Sequence, residues 1–310
     1  MAGTGIVFIV NPNASNGSTG KQWPLIRDKA LAGLGSFETY MTEGPNHGTQ
    51  LTRRALESGA GIVVSVGGDG TLNEVINGFM GESGQLVPDA LLGFIPRGTG
   101  CDFVRSVPIP RDPDKVIDMI KRRTYRTIDL GRFSYSDHEG SACRRYFHNV
   151  LSFGLGGEVD DRVNRTTKLF GGFISFIWAT LIAILLYDRK RIDLSVDDCF
   201  REEVAVWNIA VANGQYHGGG MWVAPGASPD DGLLQVTVVG DLSKPEVFRS
   251  LPKLYNGRIY DVPKVMKITG RRIEATSRQE VLLDMDGEQP GRLPVVIEVV
   301  PSALKIICSH

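Results

Sequence analysis

Three stretches of this 310-residue chain carry residues that could do chemistry. The first is Gly67-Gly68-Asp69-Gly70-Thr71-Leu72-Asn73, which follows the β-branched run of residues 62–66. That run reads as a buried strand, and Leu72, Val75, Ile76 and Phe79 then recur at helical spacing over residues 71–80. A glycine turn between strand and helix lets backbone N–H groups approach an anion at a helix N-terminus. Asp69 would repel a phosphate unless a cation stood between them, so the stretch points to a nucleotide phosphate site with Mg²⁺. The second stretch, Pro96-Arg97-Gly98-Thr99-Gly100, is another glycine-rich turn with Asp102 close behind. The third is Leu283-Asp284-Met285-Asp286-Gly287-Glu288. Asp-Gly alone marks an ordinary hairpin turn. Such a loop could also bring a carboxylate to phosphoryl transfer, which needs phosphates cradled, Mg²⁺ held and an acceptor hydroxyl beside a base.

Other motifs are weaker. Gly17-Ser18-Thr19-Gly20-Lys21 resembles a P-loop only in part, because Ser15 and Gln22 occupy two required positions, and it reads as a flexible polar loop. Ser228-Pro229-Asp230-Asp231-Gly232-Leu233 is either a turn before a strand or a cation site made of a carboxylate and carbonyls. His217-Gly218-Gly219-Gly220 has no nucleophile elbow to accompany it and reads as a turn of closely approaching backbone. Gly154-Leu155-Gly156-Gly157 lacks the last glycine of a dinucleotide fingerprint. The five histidines have no metal spacing and read as structural or surface residues. Cys101, Cys143, Cys199 and Cys308 form no CxxC pair, which argues against zinc or a disulfide framework and fits a reducing cytosol.

The elements that must position these residues change character along the chain. Strands at 5–10, 37–42, 62–66 and 90–95 alternate with helices at 23–34, 49–57, 71–80 and 112–122. That alternation predicts a parallel α/β domain with ligands at the carboxyl ends of its strands, where Thr42 and both glycine turns fall. Beyond residue 124 short strands separated by polar turns predict a β-sandwich. The expected domains are 1–126, with a tail of about 300–310 returning to it, and 127–299. Residues 169–187 carry no charge, and they read as a helix buried in the fold or dipping into a membrane surface rather than a span. A net charge of −1 gives no basic field for nucleic acid, and the N-terminus has neither a signal-peptide pattern nor a myristoylation glycine.

Taken together these blocks resemble the diacylglycerol kinase catalytic-domain family, in particular the bacterial lipid kinases related to sphingosine kinases. Gly67 to Val75 matches the signature GGDGT-x-NEV, and Pro96 to Phe103 matches P-x-GT-x-NDF with Cys101 in place of the usual Asn. Ile128-Asp129-Leu130-Gly131, Asn213-Gly214 with Gly218-Gly219-Gly220, Asp231-Gly232-Leu233-Leu234 and Asp286-Gly287-Glu288 follow in the family's order. The resemblance implies a Rossmann-like α/β domain, similar to phosphofructokinase and NAD kinase, and a C-terminal β-sandwich, with ATP and Mg²⁺ between them. It implies that Gly67, Gly68, Asp69, Gly70, Thr71, Leu72 and Asn73 cradle the phosphates, with Asn11, Thr42 and Thr99 also on the nucleotide. Glu288 would be the general base, close to Asp286, and Asp69 and Asp102 would organise the catalytic Mg²⁺. Asp231 with the carbonyls of Ser228 and Leu233 would form a second, structural cation site. The expected activity is transfer of the γ-phosphoryl group of ATP to diacylglycerol or a related lipid, at the cytoplasmic face of the membrane with peripheral contact. A kinase of a soluble acceptor such as NAD, or a nucleotide-binding regulator without catalysis, are the alternatives.

Overall fold

The computed structural model describes residues 3, 5–82, 84–157, 182 and 184–309. The apolar helix expected over 169–187 lies outside them except at 182 and 184–187. Among the described residues no helix is long and apolar enough to cross a membrane. The chain divides into two compact units, residues 1–130 with 301–310, and residues 131–300.

In the first unit the strands β1 (Gly5–Val10), β2 (Glu38–Met41), β3 (Ala60–Gly67) and β6 (Leu91–Pro96) form a parallel sheet in the order β2-β1-β3-β6. The last strand of the chain, β19 (Arg292–Ile307), adds Ile306 in parallel beside Leu92. All eight residues of β3 are buried, as a central parallel strand covered on both faces requires. Helices α1 (Ser18–Leu34), α2 (His47–Glu57), α3 (Asp69–Phe79) and α4 (Pro113–Arg122) connect the strands, α1 packing on α4 and α2 on α3. The small strands β4 (Met80–Gly81) and β5 (Gly84–Gln85) pair after α3.

Two local details differ from the sequence expectation. Ser18 to Lys21, expected in a loop, form the first turn of α1, and the tight turn before it is closed by the Gly17 N–H donating to the Asn13 carbonyl. Glu74, from the NEV part of the signature, caps a neighbouring helix. Its carboxylate accepts from the N–H groups of Asn46 and Gly48 at 2.8 Å each, which supplies the start of α2 with the anion its dipole favours.

The second unit is built of antiparallel sheets. One has the order β16-β15-β12-β9-β18, made of Val265–Gly270, Leu234–Val239, Asn208–Ala212, Val150–Gly154 and Leu283–Met285. The other contains β11 (Phe200–Val206), β10 (Lys190–Val196), β17 (Arg272–Thr276) and the first part of β19, with the hairpin of β7 (Tyr125–Ser136) and β8 (Ala142–Phe147) joined through β7. Inward residues of both sheets, among them Phe133, Phe153, Leu194, Val211, Val236 and Ile297, share one core. Alternation of buried and exposed residues along β10 and β19 shows the period of two that such packing demands. The run 204–212 forms two strands broken at Trp207, whose N–H donates to the Val239 carbonyl. The run 146–152 is likewise split at His148-Asn149 between β8 and β9. A short hairpin, β13 (Tyr216–His217) and β14 (Met221–Trp222), turns through Gly218, Gly219 and Gly220, all in the left-handed region. One further helix, α5 (Lys244–Ser250), opens with a capping box in which Ser243 and Glu246 satisfy each other.

Candidate active site

In the first unit the carboxyl ends of the parallel strands are tied together by backbone hydrogen bonds. Asn11 donates to the Val66 carbonyl, Thr42 to Val10 and Arg97 to Gly67, at 3.0, 2.9 and 2.6 Å. Asn11 also donates from Nδ2 to Thr71 Oγ1 at 3.0 Å, which links the end of β1 to the glycine turn. The helix begins at Asp69, two residues before the expected start, so Asp69 stands on its first turn. Leu72 and Asn73 are fully buried and anchor α3, while Gly68, Asp69 and Gly70 are half-buried at its mouth.

The two glycine turns meet backbone to backbone. A Cβ on Gly98 would stand 2.5 Å from the Gly68 Cα, so only glycine permits the contact. Gly98→Ala is expected to force the turns apart at a cost of about 1–3 kcal/mol, the range for overpacking. Thermal unfolding should show a clearly lowered melting temperature together with weakened nucleotide binding. A wild-type melt with wild-type binding would contradict the packing.

Cys101 occupies the position where the resembling family has Asn. It lies in the left-handed region at φ 48°, where Asn is favoured, and its Sγ accepts from the Gly98 N–H at 3.2 Å. Burial, with the charge of Asp69, pushes the thiol up to about 12, so it remains neutral. Sulfur therefore keeps the hydrogen bond that closes the turn. Asp69 Oδ2 accepts from the Asp102 N–H at 3.1 Å. A Cβ on Gly100 would find Asp69 Oδ2 at 3.7 Å and Asp102 Oδ2 at 3.8 Å, so both carboxylates converge on one point. Asp102 Oδ1 also lies 3.5 Å from Arg105 Nε. Two converging carboxylates would suit a hard cation, which takes oxygen ligands. They fit Mg²⁺, and would hold it from the protein side.

The second unit holds the third stretch. Met285 and Glu288 exchange backbone hydrogen bonds around a turn in which Asp286 and Gly287 have φ of 51° and 88°. The Asp286 side chain is 1% exposed. It accepts from the Val150 N–H at 2.9 Å and lies 3.0 Å from His148 Nδ1. Burial raises its pKa, but the charge and closeness of His148, the Val150 N–H and the charge of His217 outweigh that and hold the carboxyl below the ordinary range. The Glu288 side chain is 38% exposed, and Arg145 Nη2 approaches its Oε2 at 3.2 Å.

Beside this turn lies an apolar cavity of about 150 Å³. Leu155, Trp207, Val239, Leu251, Leu254 and Ile259 are among the apolar residues that line it. Its polar lining includes Ser152, Asn208, His217 and Asp284. Asp284 Oδ2 accepts from His217 Nε2 at 2.8 Å and from Ser152 Oγ at 3.1 Å, and Oδ1 accepts from the Gly287 N–H at 3.1 Å. Gly156 closes over this group, since a Cβ there would stand 2.5 Å from Ser152 Oγ and 3.0 Å from Asp284 Oδ2.

The Ser228–Leu233 loop is a turn with two local side-chain hydrogen bonds. Ser228 Oγ donates to Asp230 Oδ1 at 2.6 Å, and Asp231 Oδ1 accepts from the Leu233 N–H at 2.9 Å. Among the described residues no group of three or more His, Cys, Asp or Glu side chains is arranged to hold a metal. Sequence reasoning gave no part to His148, His217, Ser152 or Asn208. A histidine two residues before a buried strand, and another before three glycines, carried no motif that could announce a pairing with a carboxylate far along the chain.

Comparison with known proteins adds the identity of the fold. Residues 5–133 match the family described as Diacylglycerol kinase catalytic domain, and residues 149–308 match the YegS C-terminal NAD kinase beta sandwich-like domain. The "Probable lipid kinase YegS-like" of Xanthomonas axonopodis pv. citri is 30% identical over 81% of this chain and 80% of its own length. The "Diacylglycerol kinase" of Staphylococcus saprophyticus is 28% identical over 83% of this chain and 81% of its own length. The crystal structure of a "putative diacylglycerol kinase" from Bacillus anthracis str. Sterne superposes with a TM-score of 0.78 at 22% identity, covering 100% of this chain and 96% of that one, a likeness of fold. With an α/β unit that carries both glycine turns and a β-sandwich unit that carries the Asp-Gly-Glu turn, the chain belongs to the diacylglycerol kinase family of lipid-kinase-like phosphotransferases.

Proposed function

We propose that this protein transfers the γ-phosphoryl group of ATP to a hydroxyl of diacylglycerol or a related lipid. The observation that carries the lipid reading is the apolar cavity of the second unit, whose polar wall at Asp284 is two residues from Asp286-Gly287-Glu288. A soluble, polar acceptor such as NAD has no use for a chamber lined by Trp207, Leu251, Leu254 and Ile259. A fatty acyl chain gains roughly 0.8 kcal/mol for each methylene it buries there. Glu288, the exposed carboxylate of the turn, takes the proton of the acceptor hydroxyl, while Asp286 stays inside the turn. The Gly68–Gly70 backbone receives the phosphates, with Asn11, Thr42 and Thr99 beside the nucleotide. Asp69 and Asp102 hold Mg²⁺, which when bound supplies charge neutralisation on the transferring phosphoryl group. Ser228, Asp231 and Leu233 make a structural cation site through one carboxylate and two carbonyls. Lipid acceptors enter from a membrane that the protein meets peripherally on its cytoplasmic face, and exposed Leu185 and Leu186, close to Arg189, Lys190 and Arg191, support that contact.

Ala210→Phe tests the cavity assignment. Ala210 is 5% exposed on β12 and lines the chamber, so the ring fills it. The Michaelis constant for a long-chain lipid acceptor is expected to rise about tenfold or more, against an unchanged constant for ATP. Unchanged lipid kinetics in a variant whose melt shows an intact fold would remove the cavity from the reaction.

A further inference from the structure

The Asp284–Glu288 segment buries two carboxylates two positions apart, with the Asp284 and Asp286 side chains both at most 2% exposed. Two buried anions this close in sequence are costly unless each has a partner of its own. Each does, and in both cases the partner includes a histidine. His148, wholly buried, places Nδ1 3.0 Å from Asp286 Oδ2. His217 donates from Nε2 to Asp284 Oδ2 at 2.8 Å.

The two pairs grip the turn from separate elements. His148 sits in the bend between β8 and β9, and that bend is itself held, since Asn213 Nδ2 donates to the His148 carbonyl at 2.9 Å and the Asn213 N–H donates to the Asn149 carbonyl at 2.8 Å. Asp286 is then fixed to β9 on both sides, accepting from the Val150 N–H and donating its own N–H to the Val150 carbonyl at 3.1 Å. His217 comes from the β13 hairpin and forms part of the cavity wall. Through Asp284 it reaches the Gly287 N–H, the residue that precedes Glu288. The turn has two successive residues in the left-handed region, a conformation that surrounding contacts must impose on Asp286.

We propose that His148 and His217 are positioning residues which, through Asp286 and Asp284, fix the turn that presents Glu288 to the acceptor hydroxyl. This rests on the lipid-kinase reading above. Neither histidine touches the reacting atoms. Each acts by holding a carboxylate in one place, and a displacement of about 1 Å at a reacting group can cost on the order of 10²-fold in rate.

The ring nitrogens make the test specific. An Asn amide nitrogen falls where a histidine has Nδ1, and a Gln amide nitrogen falls where it has Nε2. His148→Leu and His217→Leu should each lower kcat by about tenfold or more, with the Michaelis constant for ATP unchanged. His148→Asn and His217→Gln should recover most of the loss, whereas the exchanged amides, His148→Gln and His217→Asn, should not. Rescue that is equal for both amides, wild-type kcat in the Leu variants, or losses that simply follow the fall in melting temperature would each overturn the proposal. A readout free of turnover keeps it separate from the kinase reading. In ¹⁵N-labelled wild-type protein, NMR should find a proton on His148 Nδ1 and on His217 Nε2. Failure to phosphorylate any lipid, with both protons present, would count against the kinase reading and for the pairing; absence of either proton would count against the pairing itself.

Discussion

Glu288→Gln is expected to lower kcat by at least about 10²-fold, the usual contribution of a positioned general base. The argument comes from the unequal setting of the two carboxylates in one turn. A base must come within about 2.6–3.2 Å of the proton it removes. The Asp286 side chain is 1% exposed and lies against His148 and the Val150 N–H, so it is held within the turn. Glu288 is 38% exposed, oriented by Arg145 at 3.2 Å. Gln keeps the size of the side chain, and the backbone pair between Met285 and Glu288 does not depend on the carboxylate. The fold and the Michaelis constant for ATP should therefore survive. Steady-state kinetics beside a thermal melt would check this, and an unchanged kcat would transfer the base to another group.

Asp69→Asn should reduce turnover by about 10³-fold, comparable with removal of a main electrostatic contributor to a transition state. Asn retains an oxygen to accept from the Asp102 N–H, so the hydrogen bond at 3.1 Å has a replacement and the turn should hold its shape. What disappears is one of the two charges that converge near Gly100. A cation held there would be bound more weakly, and raising Mg²⁺ should recover part of the activity. Full activity at ordinary Mg²⁺ would remove Asp69 from the cation site.

Much of the first unit was legible because its signals are local. A β-branched run, a glycine turn and a 3.6-residue period follow one another within twenty residues at Ile62 to Phe79, and they fold as strand β3 and helix α3. The β-sandwich was legible as a class but not in its joints. The run 204–212 is apolar but for Asn208, yet the chain changes sheets at Trp207, a choice made by partners distant in sequence such as Val239. The same limit applied to the site. Asp69, Asp102 and Glu288 stood out through glycine turns, which are backbone requirements written into neighbouring residues. His148 and His217 meet their carboxylates across 138 and 67 positions of sequence. Such pairings are set by strand register, which no single stretch encodes. Glu74 illustrates the converse: it lies inside the most specific signature, yet it serves the neighbouring helix α2.

The central claim, phosphoryl transfer from ATP to a lipid hydroxyl, is tested most directly with γ-labelled ATP and total membrane lipid. Purified protein with Mg²⁺ should move label into an organic-extractable product whose mass exceeds that of a neutral lipid by one phosphate. Label that appears only as inorganic phosphate or in a water-soluble acceptor, with none in the lipid fraction, would contradict the account.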